Sequence, residues 1–326
     1  MEIVILEKIC RQLRLGELTE QPRPLSGGFL HKMYSLFTTQ GRYAVKLLNS
    51  YIMKRETAAE NFRNAEMLES MLETQAIPIL SALKFGGKKM QELDGQYFYL
   101  FPWFEGKALQ SDEVTVFHCR TVGESLAKLH VVDRREKPFV QDEMCIDWDL
   151  YIARLAEKNA ELHELLRENR DLLYEMQEAA NAAIPKMPAV ETICHNDMDC
   201  KNVLWNGDQM RIIDLECLSY GSPFLEFYET ALCWSGYENC AVDFGLLREF
   251  VNAYAASGGQ LAADWGVIHD CNVGRLGWLA YNVQRALGIE CSEEEMELGA
   301  AEVRATMPKV VYYHEMREEI GACLKG

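Results

Sequence analysis

With 326 residues, 48% of them hydrophobic, the chain is long enough for two lobes sharing a cleft and rich enough to fill a sizeable core. Its formal net charge of −17 and pI of about 4.9 oppose attraction to nucleic acid or an anionic membrane and favour neutral or cationic small partners. Eleven cysteines, an odd number with no Cys-x-x-Cys pair, argue against a disulfide framework or zinc ribbon and for reduced thiols, hence a cytoplasmic protein.

Residues 1–15 mix Glu2, Glu7, Lys8, Arg11 and Arg14 into apolar positions, which predicts an amphipathic helix and not a signal peptide. No apolar run approaches the roughly 20 residues that span a membrane. Gln21-Pro22-Arg23-Pro24 breaks regular structure, and Leu25-Ser26-Gly27-Gly28-Phe29 enters a hairpin with strands over 33–39 and 42–48, turned at Gln40-Gly41. The Gly27-Gly28 pair permits close backbone approach to a ligand, and Lys46 follows in the second strand. That order suits a loop covering a nucleotide and a lysine reaching its phosphates. The full Gly-x-Gly-x-x-Gly pattern is absent, so the pair alone equally suits an ordinary hairpin.

The period predicts a helix over 56–74, with an apolar stripe of Phe62, Ala65, Met67, Leu68 and Leu72 and with Glu66 at its middle. A glutamate here would hold a strand lysine extended toward phosphates; Glu66 is the choice and Glu60 the alternative. Ile77-Pro78 ends the helix, two strands follow around Asp94-Gly95, and Pro102-Trp103-Phe104-Glu105-Gly106 reads as a connector able to offer backbone groups to an adenine. The boundary near Glu105 divides the chain into 1–105 and 106–326. Beyond it, 117–130 is amphipathic through Val122, Leu126 and Leu129, and 148–183 is helical and charge-laced up to Pro185 and Pro188.

The stretch His195-Asn196-Asp197-Met198-Asp199-Cys200-Lys201-Asn202 sets His, Asp and Asn between apolar residues, and Arg211-Ile212-Ile213-Asp214-Leu215-Glu216 delivers a further Asp beside a Glu. One carboxylate orienting an accepting hydroxyl, with an amide and a second carboxylate for Mg²⁺, is what phosphoryl transfer needs at this spacing. Isolated, the octet equally suits a hydrogen-bonded loop. The remainder reads as helices over 224–234, 243–256, 267–286 and 292–307, with the aromatic block at Trp278 and Tyr281 expected in the core.

Gly27-Gly28, Lys46, Glu66, the aromatic connector, Asp197, Asn202 and Asp214 occur in one order, and over residues 22–223 the chain resembles the aminoglycoside phosphotransferase and choline kinase superfamily, small-molecule relatives of protein kinases. The resemblance implies an α+β, bilobal, protein-kinase-like fold: a small N-terminal antiparallel-sheet lobe and a larger, mainly helical C-terminal lobe. It implies an ATP- and Mg²⁺-dependent phosphotransferase, with GTP as the alternative nucleotide. In it Gly27, Gly28, Lys46 and Glu66 serve the nucleotide, Asn202 and Asp214 the metal, and Asp197 the acceptor hydroxyl. His195 reads as a brace for the loop. Two departures stand out: Asp214-Leu215-Glu216 replaces Asp-Phe-Gly with no Ala-Pro-Glu following, which argues against protein substrates, and Glu226 and Glu229 occur where the family often carries Asp.

The expected acceptor is a small hydroxyl compound such as an aminoglycoside, amino alcohol or sugar, its cationic groups met by acids such as Asp147, Asp149, Glu216, Glu226, Glu229 or Glu238 and its face by Trp234, Tyr237 or Trp278. A catalytically silent nucleotide-binding protein of the same fold is the competing class, and a protein kinase the third. The composition leaves the oligomeric state open.

Overall fold

The computed structural model describes residues 2–25, 31–289 and 291–325 and divides into two units, 1–110 with 195–219, and 111–194 with 220–326. In the first unit, five antiparallel strands form one sheet in the spatial order β1 (Pro24–Leu25), β2 (Lys32–Thr38), β3 (Gly41–Leu47), β5 (Gln96–Pro102) and β4 (Gln91–Leu93). The register pairs Met33 with Lys46 and Lys46 with Tyr99, which puts Lys46 in the central strand with a neighbour on either side. Alternation along β2, β3 and β5 sends Tyr34, Leu36, Val45, Leu47, Phe98 and Leu100 into a core closed by Leu6, Ile9 and Cys10 of α1 (Glu2–Leu13).

Helix α2 (Ala58–Leu72) buries Phe62, Ala65, Leu68 and Leu72. Met67, expected in that stripe, is exposed, because it lies about 100° round the helix from its buried neighbour Leu68. Glu69 takes a place on the buried face instead and pairs with the buried Lys89 at 2.8 Å.

The sequence reading divides the chain once, near Glu105, yet residues 195–219 cluster with the sheet rather than with the helices. Hydrogen bonding explains this. Strand β6 (Lys107–Ala108) pairs with β7 (Val203–Asn206), which forms a hairpin with β8 (Gln209–Ile212), and Ile212 exchanges backbone hydrogen bonds with Pro78 and Leu80 at 2.8 Å each.

The second unit is mainly helical. Helix α3 (Val116–His130) buries Val122, Leu126 and Leu129 against α5 (Phe244–Ala256), and a Cβ on Gly123 would stand 2.7 Å from the Phe250 carbonyl oxygen. The continuous helix expected over 148–183 is three, Trp148–Lys158, Ala160–Glu168 and Arg170–Ala183, because Asn159 and Asn169 interrupt it; the Asn159 side chain accepts from Leu162 N–H at 3.1 Å as an N-cap. The helix expected over 267–286 is likewise two, α6 (Trp265–Cys271) and α7 (Gly274–Ala286). Helix α8 (Glu293–Glu315) opens with a Ser292/Glu295 capping box and continues past residue 307 through Pro308, which forfeits one backbone donor while Met307, Val310 and Tyr313 remain buried.

One expectation about side chains fails in this unit. Trp278 and Tyr281 are 40% and 51% exposed, so the core reading of the aromatic block does not hold for them; Leu276, Leu279 and Val283 supply the buried phase of α7. The Glu226 carboxylate, on α4 (Pro223–Trp234), is not solvent-facing: His130 Nε2 lies 2.7 Å from Glu226 Oε2, and His130 Nδ1 lies 2.7 Å from the Tyr254 hydroxyl. Buried Cys194 completes this cluster, its thiol pushed well up by burial and then by the Glu226 charge.

All eleven cysteines are free thiols. Among the described residues no helix is long and apolar enough to cross a membrane.

Candidate active site

The hairpin of β7 and β8 turns at Gly207, whose φ of +55° an L side chain rarely adopts, and both of its ends carry candidate residues. Asn202 immediately precedes β7, and Asp214 follows β8 by two residues. The Ile213 amide donates to the Asn202 carbonyl at 2.9 Å, which ties the two ends together. His195, fully buried, braces the loop through both ring nitrogens: Asp197 N–H donates to Nδ1 at 3.3 Å, leaving Nε2 to donate to the Ile213 carbonyl at 2.9 Å.

Asp197 and Asn202 meet directly. The Asn202 amide donates to Asp197 Oδ2 at 2.9 Å and to the Asp197 carbonyl at 2.8 Å. With its NH₂ so fixed and the residue buried, the Asn202 Oδ1 has no hydrogen-bond donor among the described residues. The other Asp197 oxygen, Oδ1, lies 3.2 Å from Lys201 Nζ, on a carboxylate that is 40% exposed. Lys201 also pairs with Asp199 Oδ2 at 2.7 Å; burial favours the neutral amine, but Asp199 and then Asp197 outweigh it and raise the ammonium pKa.

Asp214 sits in the left-handed region at φ 63°, ψ 51°, a conformation that Asp tolerates better than bulkier residues. Its Oδ1 lies 2.5 Å from Lys46 Nζ, and Glu216 Oε2 contacts the same ammonium. Burial alone would lower the Lys46 pKa, yet the charges of Glu216 and Asp214 raise it. Glu216 is held in turn by His31, whose Nε2 lies 3.2 Å from Oε1. Burial pushes the Glu216 carboxyl up, but the His31 hydrogen bond and the Lys46 charge prevail and keep it below the ordinary range. The Asn49 amide donates to His31 Nδ1 at 3.0 Å and so completes a chain from backbone to imidazole to carboxylate to ammonium.

Lys46, Asp197, Asn202 and Asp214 therefore come together in one unit, as the sequence order suggested. Glu66 differs from the expectation. It lines the same cleft as Lys46, Phe62, Tyr99 and Asp214, but its Oε1 accepts from Met90 N–H at 3.0 Å and the Tyr99 hydroxyl at 2.9 Å, and no described ion pair joins it to Lys46. Two local donors fix the Glu66 carboxylate through Oε1, while Asp214 and Glu216 supply the counter-charges that Lys46 contacts. Glu60 makes no described pair with Lys46 either. Gly27 and Gly28 lie outside the described residues. Sequence reasoning did not assign Glu216 or His31 to the lysine, although the Asp-x-Glu spacing and a histidine directly before β2 were visible.

Several side chains considered for an acceptor are otherwise engaged, Glu216 by Lys46 and His31 as above. Trp234 and Tyr237 are buried, Glu226 belongs to the His130 cluster, and Asp149, Glu229 and Glu238 pair with Arg170, Arg275 and Lys309 at 2.6, 2.8 and 2.5 Å.

Residues 21–271 match the phosphotransferase enzyme family. The homoserine kinase of Methylobacillus flagellatus is 24% identical over 244 residues, 74% of this chain and 72% of that protein, and the homoserine kinase of Methylobacillus glycogenes is 27% identical over 247 residues with the same shares. Among solved structures, a spectinomycin phosphotransferase in complex with ADP and spectinomycin superimposes with a TM-score of 0.67 at 14% identity, covering 98% of each chain, and shares the bilobal, protein-kinase-like α+β fold. The match spans both the sheet and the loop that carries Asp197, Asn202 and Asp214, and the chain belongs to the phosphotransferase enzyme family as a small-molecule kinase.

Proposed function

We propose that this kinase transfers the γ-phosphoryl group of ATP to the hydroxyl of a small amine-bearing acceptor, of the amino alcohol or hydroxy amino acid class. The observation that carries the reading is the convergence of Lys46 and Asp214 at 2.5 Å beside a loop in which Asn202 orients Asp197. Lys46 contacts the α- and β-phosphates when a nucleotide is bound. The donor set fits Mg²⁺: Asp214 offers a partly exposed carboxylate and Asn202 an amide oxygen without a described donor, both hard oxygen ligands. Bound there, Mg²⁺ neutralises phosphate charge.

Asp197 accepts a hydrogen bond from the acceptor hydroxyl through a lone pair left by Asn202. As the new bond from the acceptor oxygen to γ-phosphorus forms and the bond to the ADP oxygen breaks, the hydroxyl proton passes to the Asp197 carboxylate. The amine preference is supported by the acceptors named in the relatives, since homoserine carries a hydroxyl and an amine, and by the net charge of −17.

ATP-dependent phosphorylation across homoserine, ethanolamine, choline, aminoglycosides and hexosamines tests the reading. Stoichiometric phosphate transfer to an amine-bearing acceptor is expected. Nucleotide binding without transfer to any of them would instead favour a catalytically silent protein, and transfer to proteins in preference to these compounds a protein kinase.

A further inference from the structure

We propose that Glu216, rather than Glu66, is the positioning residue for Lys46, and that His31 locks Glu216 in that role. The inference rests on the phosphate role assigned to Lys46 above and concerns how the lysine is held.

Two carboxylates reach the Lys46 ammonium, and they are held differently. Both oxygens of Glu216 are in use, Oε2 on Lys46 and Oε1 within 3.2 Å of His31 Nε2, and its side chain is 17% exposed. Asp214 commits only Oδ1, and its side chain is 31% exposed. A nucleotide with its cation would therefore draw Asp214 off the lysine more readily than Glu216, leaving one fixed counter-charge to keep Lys46 extended. The His31 tautomer reinforces this: Asn49 N–H donates to Nδ1, so the Nε2 proton is aimed at Glu216. Glu66 is oriented instead by Met90 N–H and the buried Tyr99 hydroxyl, both donating to its Oε1, and neither of its oxygens makes a described contact with Lys46.

The chemistry of the nucleotide-free protein gives one test. Acylation of Lys46 by acetic anhydride, read by peptide mass spectrometry, should run several-fold faster in Glu216→Gln than in the wild type and at the wild-type rate in Glu66→Gln. Equal rates in wild type and Glu216→Gln, or a matching rise in Glu66→Gln, would overturn the assignment. Calorimetry with Mg-ADP gives a second test, in which the sign decides. If Glu216 merely occupied the phosphate position, removing its charge would tighten binding; if it positions Lys46, binding weakens. The expected Kd for Glu216→Gln is about ten-fold weaker than wild type, with Glu216→Asp between them, and an unchanged or tighter Kd refutes the role. His31→Gln, which keeps an N–H donor, should bind Mg-ADP more tightly than His31→Ala; equal losses at equal melting temperature refute the lock. Should Glu216→Gln fail to fold, Glu216→Asp and the His31 pair decide the question. A wild-type protein that does not bind Mg-ADP would instead sink the phosphotransferase reading, and the acylation rates would still decide the role of Glu216.

Discussion

Replacing Asp197 by Asn separates chemistry from folding more cleanly than any other single change in the site. The side chain keeps its shape, and the new amide oxygen can still accept from the Asn202 amide, now 2.9 Å from Asp197 Oδ2, while the second Asn202 bond, to the Asp197 carbonyl, is untouched. What is lost locally is the pair with Lys201 at 3.2 Å, between side chains 40% and 59% exposed, worth about 1 kcal/mol or less. Lys201 retains Asp199 at 2.7 Å. Melting should therefore shift by no more than a few degrees. Catalysis is another matter, because an amide has no basic oxygen to take the hydroxyl proton. A positioned general base contributes roughly 10²–10⁴-fold, which at about 1.36 kcal/mol per decade is about 3–5 kcal/mol of barrier. Coupled ADP release with an accepted substrate should thus show kcat reduced by two to four decades, while calorimetry gives a Kd for Mg-ADP within about two-fold of wild type. A variant turning over within ten-fold of wild type at normal stability would refute Asp197 as the base.

Three further outcomes concern stability. Gly299→Ala puts a Cβ 2.6 Å from Arg285 Cβ and 2.9 Å from the Ala286 nitrogen, so α7 and α8 must move apart; the overpacking cost of about 1–3 kcal/mol should exceed the roughly 1 kcal/mol gained by replacing a helical glycine, and thermal melting should fall. Glu226→Leu leaves His130 Nε2 buried without its partner and should cost about 3 kcal/mol in urea unfolding, whereas Glu226→Gln, which preserves an acceptor, should cost less. His269 is held neutral by burial, its pKa pushed down to about 3, below the 6.5 of an exposed histidine. Between those values the unfolded chain binds the extra proton, so this contribution is complete above pH 6.5 and falls as the pH drops toward 3, by about 2 kcal/mol at pH 5; a His269→Gln protein should lose less stability between pH 7 and 5 than wild type does.

Local pattern was the legible part. The strands of the hairpin, the aromatic β5 and the stripe of α3 follow from alternation and helical period, and the loop from His195 to Asn202 follows from residue order because its hydrogen bonds are short in sequence. The Lys46–Glu216 pair spans 170 residues and depends on where β8 delivers its C-terminal end, which no local window contains. The partners of Glu66 are hidden for the same reason: Met90 and Tyr99, which donate to its Oε1, are tertiary neighbours. Other misses were readable. Asn159 and Asn169 are helix-capping residues inside a supposed single helix, and Trp278 and Tyr281 lie off the Leu276, Leu279, Val283 phase of α7, where hydrophobicity was weighted above position.

The pairing of β6 with β7 also bears on how the protein is made. Residues 1–110 emerge from the ribosome well before residues 195–219, so the nascent sheet unit must wait, with Lys107–Ala108 lacking its partner strand, while more than eighty intervening residues are synthesised. A contiguous fragment ending at residue 110 would contain the five-stranded sheet but neither the strand that pairs with Lys107–Ala108 nor the loop that carries Asp197, Asn202 and Asp214. Lys46 and the loop of Asp197, Asn202 and Asp214 belong to one unit built from two stretches of chain, so inheritance of the site requires that both stretches travel together.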